Sequence, residues 1–203
     1  HVGSLVGVVG AMVPETTSNF IIDCYATGTV IGTNSMIGGL YGFADRGSNV
    51  SGSWFSGMVK NNGSFTGGLA GQNLAKVNDC HSEGTVEGTN NVGGFIGFNS
   101  YVSEIQNCYS TADATGSYYI GGFIGNNLGT LSNCYATGKT TGGNYIGGFI
   151  GGHNNENDRG DISDCYSIGS VTGVTYVGGF IGIYEDGTIS NSYSSGKVTG
   201  NTN

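Results

Sequence analysis

Charge is scarce in this chain: only 10% of its 203 residues are charged, and the six Lys and Arg stand singly. Nucleic acid and anionic membranes both need clustered cations, so neither is an expected partner. No apolar run approaches the roughly 18 residues of a membrane-spanning helix, which argues against membrane insertion. Proline occurs once, at Pro14, which rules out collagen-like and proline-rich designs. Histidine occurs three times, at His1, His81 and His153, and none opens the H-E-x-x-H motif of zinc peptidases. Residues 1 to 10 lack the charged segment and cleavage site of a secretory signal, so a mature protein or an excised segment is expected.

What is abundant is glycine, 41 residues, together with 12 Tyr and 9 Phe. Flexible linkers share the glycine but not the aromatics or a regular apolar pattern. The glycines fall into a repeat: Gly38-Gly39-Leu40-Tyr41-Gly42, Gly67-Gly68-Leu69-Ala70-Gly71 and Gly93-Gly94-Phe95-Ile96-Gly97 are followed by three more copies starting at Gly121, Gly147 and Gly178. Gly3-Ser4-Leu5-Val6-Gly7 is a looser first copy. The other half of the repeat is Asp23-Cys24-Tyr25-Ala26-Thr27-Gly28-Thr29-Val30, with relatives at Cys80, Cys108, Cys134 and Cys165, and with Ser53 and Ser192 in the cysteine slot. From residue 24 to residue 192, six steps average 28 residues.

Glycine density and the lack of a 3.6-residue apolar period exclude helix. Alternation marks strands instead. An aliphatic residue stands three places before each cysteine slot (Ile21, Val50, Val77, Ile105, Leu131, Ile162, Ile189), and a small or aliphatic one six places after it. One copy is too short to bury such a face, whereas stacked copies share a continuous core. The expected fold is therefore all-β: a parallel β-solenoid of about seven coils of roughly 28 residues, forming one repeat domain over residues 1–203. The crossover rule favours a right-handed β-helix, with tight turns at Gly and Asn. Residues 11 to 19 and the loop from His153 to Asp161 are expected to bulge outward.

Cys24, Cys80, Cys108, Cys134 and Cys165 lie one per repeat. Their odd number leaves one unpaired, and in-register parallel side chains point the wrong way for disulfides. Free thiols acting as small apolar core residues are expected.

The Gly-Leu-hydrophobic-Gly core, as in Gly39-Leu40-Tyr41-Gly42 and Gly94-Phe95-Ile96-Gly97, resembles the GLUG-motif repeat. That repeat belongs to large bacterial surface proteins, including adhesin-like proteins and the non-catalytic regions of immunoglobulin-A metallopeptidases. The resemblance implies a non-catalytic structural or adhesive module, extracellular or on the cell surface, working as a rigid stalk or filament-like unit without cofactors. Its expected partners are neighbouring copies or flanking repeats stacked end to end, with a host surface protein or glycan as a further one.

Several residues invite sharper readings. The exposed column Thr115, Thr141, Thr172 and Thr199 could order water as an ice-binding face, although Asp113, Lys139 and Lys197 in the next column interrupt it. Tyr25, Trp54, Tyr109, Tyr135, Tyr166 and Tyr193 form a ladder on which sugars could stack, or whose rings pack on one another. His81 reads as a substitution in that ladder. Glu83, Glu87, Asp113 and Lys139 resemble the charges of a polysaccharide-cleaving cleft, but a solvated strand face explains them better. Arg159-Gly160-Asp161 spells a cell-attachment tripeptide. Asn157, Asp158, Asp161 and Asp164 match no established calcium loop, and Asn49 and Asn62 open glycosylation sequons.

Overall fold

Each copy of the repeat folds into one three-sided coil, because its apolar residues alternate inward along short strands and its glycines and Asx residues turn the corners. The computed structural model describes residues 1–10, 19–153 and 160–201, and all its regular structure is strand. The first face stacks Val6–Val9, Tyr41–Ala44, Ala70–Asn73, Ile96–Asn99, Ile124–Asn127, Ile150–His153 and Ile181–Tyr184. The second stacks Phe20–Ile22, Asn49–Ser51, Lys76–Asn78, Glu104–Gln106, Thr130–Ser132, Ile162–Ser163 and Ile189–Ser190. The third, a sheet of 15 strands, carries the longer segments, among them Trp54–Asn61, His81–Glu87 and Asp113–Gly121. Neighbouring strands run parallel and in register throughout, as in Val77 opposite Val50 and Ile105 opposite Leu131. Seven levels on two faces give six inter-coil steps, close to the seven coils expected.

Left-handed backbone recurs at two places along the repeat, and the two are filled differently. Between the second and third faces stand Asp23, Gly52, Asp79, Asn107, Asn133, Asp164 and Asn191, all with φ between 48° and 57°. Asn, Asp and Gly tolerate that region best, as the sequence suggests. Midway along the third face the same conformation falls on Met36, Phe65, Asn91, Tyr119, Tyr145 and Tyr176. Bulky residues at positive φ are strained, and here coil stacking compensates: Tyr119, Tyr145 and Tyr176 stack ring on ring at 4.7 and 5.0 Å.

The core is a set of columns. Phe95, Phe123, Phe149 and Phe180 stack with centroids 4.7 to 5.0 Å apart, continuing the line of Leu40 and Leu69. Val50, Val77, Ile105, Leu131 and Ile162 fill the second face, all buried. The glycine motif follows from this packing. A Cβ on Gly122 would collide with the carbonyl oxygen of Gly148 on the next coil, and one on Gly121 with the carbonyl of Ile124.

Candidate functional site

The cysteine slot faces inward just after the Asx corner, and its chemistry exceeds that of a small apolar filler. Each thiol or hydroxyl donates to the carbonyl two residues back: Cys80 Sγ to Asn78 at 3.1 Å, Cys108 to Gln106 at 3.0 Å, and Ser53 Oγ to Ser51 at 2.8 Å. It also accepts an amide from the preceding coil, as in Ser53 N to Cys80 Sγ and Cys80 N to Cys108 Sγ, both 3.4 Å, or Cys24 N to Ser53 Oγ at 3.0 Å. The slot holds the free core thiols expected from the sequence, four of them buried, and it is in addition a hydrogen-bonding link between coils, which is why serine replaces cysteine in it. All five cysteines are free thiols. Burial pushes the Cys108 thiol well above its ordinary range, and a hydrogen bond with Cys134 followed by burial does the same at Cys165, so both stay protonated.

A second polar column was not anticipated from the sequence. At the corner between the first and second faces, Asn73 Nδ2 donates to Asn99 Oδ1 at 3.1 Å, and Asn99 Nδ2 to Asn127 Oδ1 at 2.8 Å. Asn127 Nδ2 then lies 3.1 Å from His153 Nδ1. The same amides tie down the corner backbone, through Asn73 to the Ala75 carbonyl and Asn127 to the Gly129 carbonyl. His153 is fully buried, and burial lowers its pKa below that of a free imidazole. Asn recurring two residues after the third glycine of the motif was the available signal.

The aromatic ladder is continuous. Tyr25, Trp54, His81, Tyr109, Tyr135, Tyr166 and Tyr193 stack in order, with centroids 4.7 to 5.6 Å apart and planes within 8°. His81 takes a ladder position, as read. Each internal ring has both faces covered by its neighbours, so a sugar has no internal ring face to stack on. Burial raises the phenol pKa of Tyr109, Tyr135 and Tyr166, with smaller contributions from Glu83 at Tyr109 and from adjacent phenols at the other two.

On the third face Thr115, Thr141, Thr172 and Thr199 stand opposite one another in register, and all but half-buried Thr141 are exposed. Their column continues the other way as Glu87, Lys60 and Ile31, with Lys60 Nζ 2.7 Å from Glu87 Oε2. The remaining charges do not converge: Glu83 lies 3.9 Å from His81 Nε2, and Asp113 accepts the backbone amide of Lys139 at 2.7 Å. Of the cell-attachment tripeptide, Arg159 lies outside the described residues, Gly160 is buried with φ 108°, and Asp161 is exposed. Asn157 and Asp158 also lie outside them. Among the described residues no group of three or more His, Cys, Asp or Glu is placed to hold a metal ion.

Parallel coils, hydrogen-bonded polar columns and a repeat-spaced glycine motif define a β-solenoid repeat module. The chain belongs to the GLUG-motif family, whose model matches residues 88–115, 116–141, 142–172 and 173–199, more than half of the sequence. Among solved structures, a candidate immunoglobulin A1 protease from Bacteroides ovatus has the same fold, with a TM-score of 0.63 and 22% identity. The match covers 84% of this chain but only 60% of that protein. No curated protein matches the chain.

Proposed function

We propose that the chain is a non-catalytic, load-bearing module of an extracellular or cell-surface protein. The observation that carries this reading is the unbroken register of backbone pairing and of the ring ladder from Tyr25 to Tyr193, reinforced by shorter hydrogen-bonded columns, which couples every coil to its neighbours along one axis. Family membership and the fold shared with a candidate immunoglobulin A1 protease fit an extracellular setting. End-to-end partners fit the same register: strands that pair in parallel from coil to coil within the chain can pair in the same way with a flanking repeat or a neighbouring copy.

Pulling the rod along its axis in a single-molecule force experiment tests the reading. Discrete force peaks are expected, each releasing one coil, about 100 Å of contour for 28 residues at ~3.5 Å each. Smooth extension at negligible force would overturn it. Sedimentation over a concentration series tests end-to-end stacking, where a mass independent of concentration argues against association of copies.

The threonine register favours one second reading, ice binding. Thermal hysteresis with faceted crystals, lost in Thr141→Lys, would support it. Round crystals from the unaltered chain would remove it.

A further inference from the structure

The corner between the first and second faces varies in length from coil to coil. Four residues cross it at 45–48, two at 74–75, four at 100–103 and two at 128–129. Each four-residue crossing is a closed turn, with Ser48 N donating to Asp45 O at 3.2 Å and Ser103 N to Ser100 O at 3.0 Å. A short crossing between two long ones leaves a notch. Its floor is Leu74, its walls are the 45–48 and 100–103 turns, and it encloses about 310 Å³. That volume lies at the low end of small-molecule sites.

The notch is rigid and polar at its rim. The buried amides of Asn73 and Asn99 anchor the crossings beneath it through Ala75 and Ser103. Arg46 reaches over it, its guanidinium donating to Tyr101 Oη at 3.2 Å. Lys76 and Asn49 stand side by side on the adjoining strands, and Ser48 Oγ, buried in the wall, has no hydrogen-bond partner among the described residues. Two of the chain's six cations thus meet at one small cleft, in a molecule of net charge −8. Among the described residues two acids stand nearby. Asp45 accepts the Arg46 backbone amide at 2.7 Å, and Glu104 pairs with Lys76 at 2.9 Å. Both partners of the second pair are more than half exposed, and such a pair contributes little, so a ligand carboxylate competes for Lys76.

We propose that this cleft binds an acidic sugar, with the apolar side of one pyranose ring over Leu74 and Val102 and its carboxylate between Arg46 and Lys76. An arginine and a lysine at one rim suit a carboxylate, while the apolar floor asks for a ring rather than a bare anion. The sheet backbone around the notch is engaged in inter-coil pairing, so an extended peptide finds no strand edge there. The proposal does not depend on the load-bearing reading: a rod without a ligand and a ligand site on a weak rod are separate outcomes.

The test is an amide NMR titration of the whole chain with glucuronate, beside glucose as the uncharged ring and acetate as the ringless charge. Saturable shifts at Arg46, Gly47, Leu74 and Val102 are expected with glucuronate, at concentrations where neither control acts. Arg46→Ala and Lys76→Ala, both at exposed positions, should each weaken binding about tenfold, as loss of a charged hydrogen bond does. Glu104→Gln should tighten it. Absent or unsaturable shifts, equal response to glucose, or indifference to Arg46→Ala would overturn the site. Equal response to acetate would mark a bare-carboxylate site, such as one for a peptide C-terminus, and also defeat the sugar reading.

Discussion

Cys108 receives the amide of Cys80 and donates to Gln106, while Ser53 and Ser192 make the same kinds of bonds with shorter side chains. Serine should therefore replace cysteine at small cost, whereas Cys108→Val, though apolar and of similar size, leaves the buried Cys80 amide unpaired. The expected loss is about 1–3 kcal/mol for the valine variant and clearly less for Cys108→Ser, read from urea unfolding midpoints. The reverse ranking would return the slot to an apolar role. His153 makes a pH prediction. It is buried and its pKa is lowered mainly by burial, so the fold holds it neutral while the unfolded chain protonates near pH 6.5. The unfolded state then binds more protons at low pH, so stability is at its plateau above about pH 6.5 and falls as pH drops below it. His153→Asn, which extends the asparagine column, should flatten part of that acid slope in melting experiments. An unchanged slope would show that other groups set it.

At the scale of the coil, the glycine motif and the phenylalanine column are one device: glycines bring backbones close enough for rings to stack between levels. Phe123→Ala should cost about 3–5 kcal/mol by opening a cavity between Phe95 and Phe149. Phe123→Leu should cost less than about 1.5 kcal/mol, since Leu40 and Leu69 fill that position naturally. Thermal unfolding of the two variants decides, and equal losses would contradict the column as a packing unit. The strands, core columns and aromatic ladder were legible because a period-two pattern repeated about every 28 residues places each side chain by count alone. The left-handed turns at Tyr119, Tyr145 and Tyr176 were not. Tyrosine carries no local preference for positive φ, and only contact with the coils above and below holds it there. The asparagine column escaped for a related reason: Asn73 and Asn99 look like surface turn residues until the neighbouring coil supplies their partners.

Across the whole molecule, coils interact only with their neighbours, so stability is a sum of coil terms and interface terms rather than one global quantity. A middle coil has two interfaces. The coil built from Ile181–Tyr184, Ile189–Ser190 and Val198–Gly200 has a single described interface, and its strands are half-buried or exposed, whereas the inward residues of Ile96–Asn99 and Ile124–Asn127 are fully buried. The notch corner lies toward the other end, and the buried asparagine pair Asn73–Asn99 pins it. Native-state hydrogen exchange should therefore show a gradient. In the isolated 203-residue chain, amides from 181 to 200 should open most readily by local fraying, those from 96 to 127 should approach the global limit, and the corner amides of Ala75 and Ser103 should be protected beyond ordinary loop amides. Adding protein should slow exchange in the 181–200 segment alone if copies stack on that face. Uniform protection along the chain would mean that the solenoid unfolds as one unit, and the nearest-neighbour picture would fail.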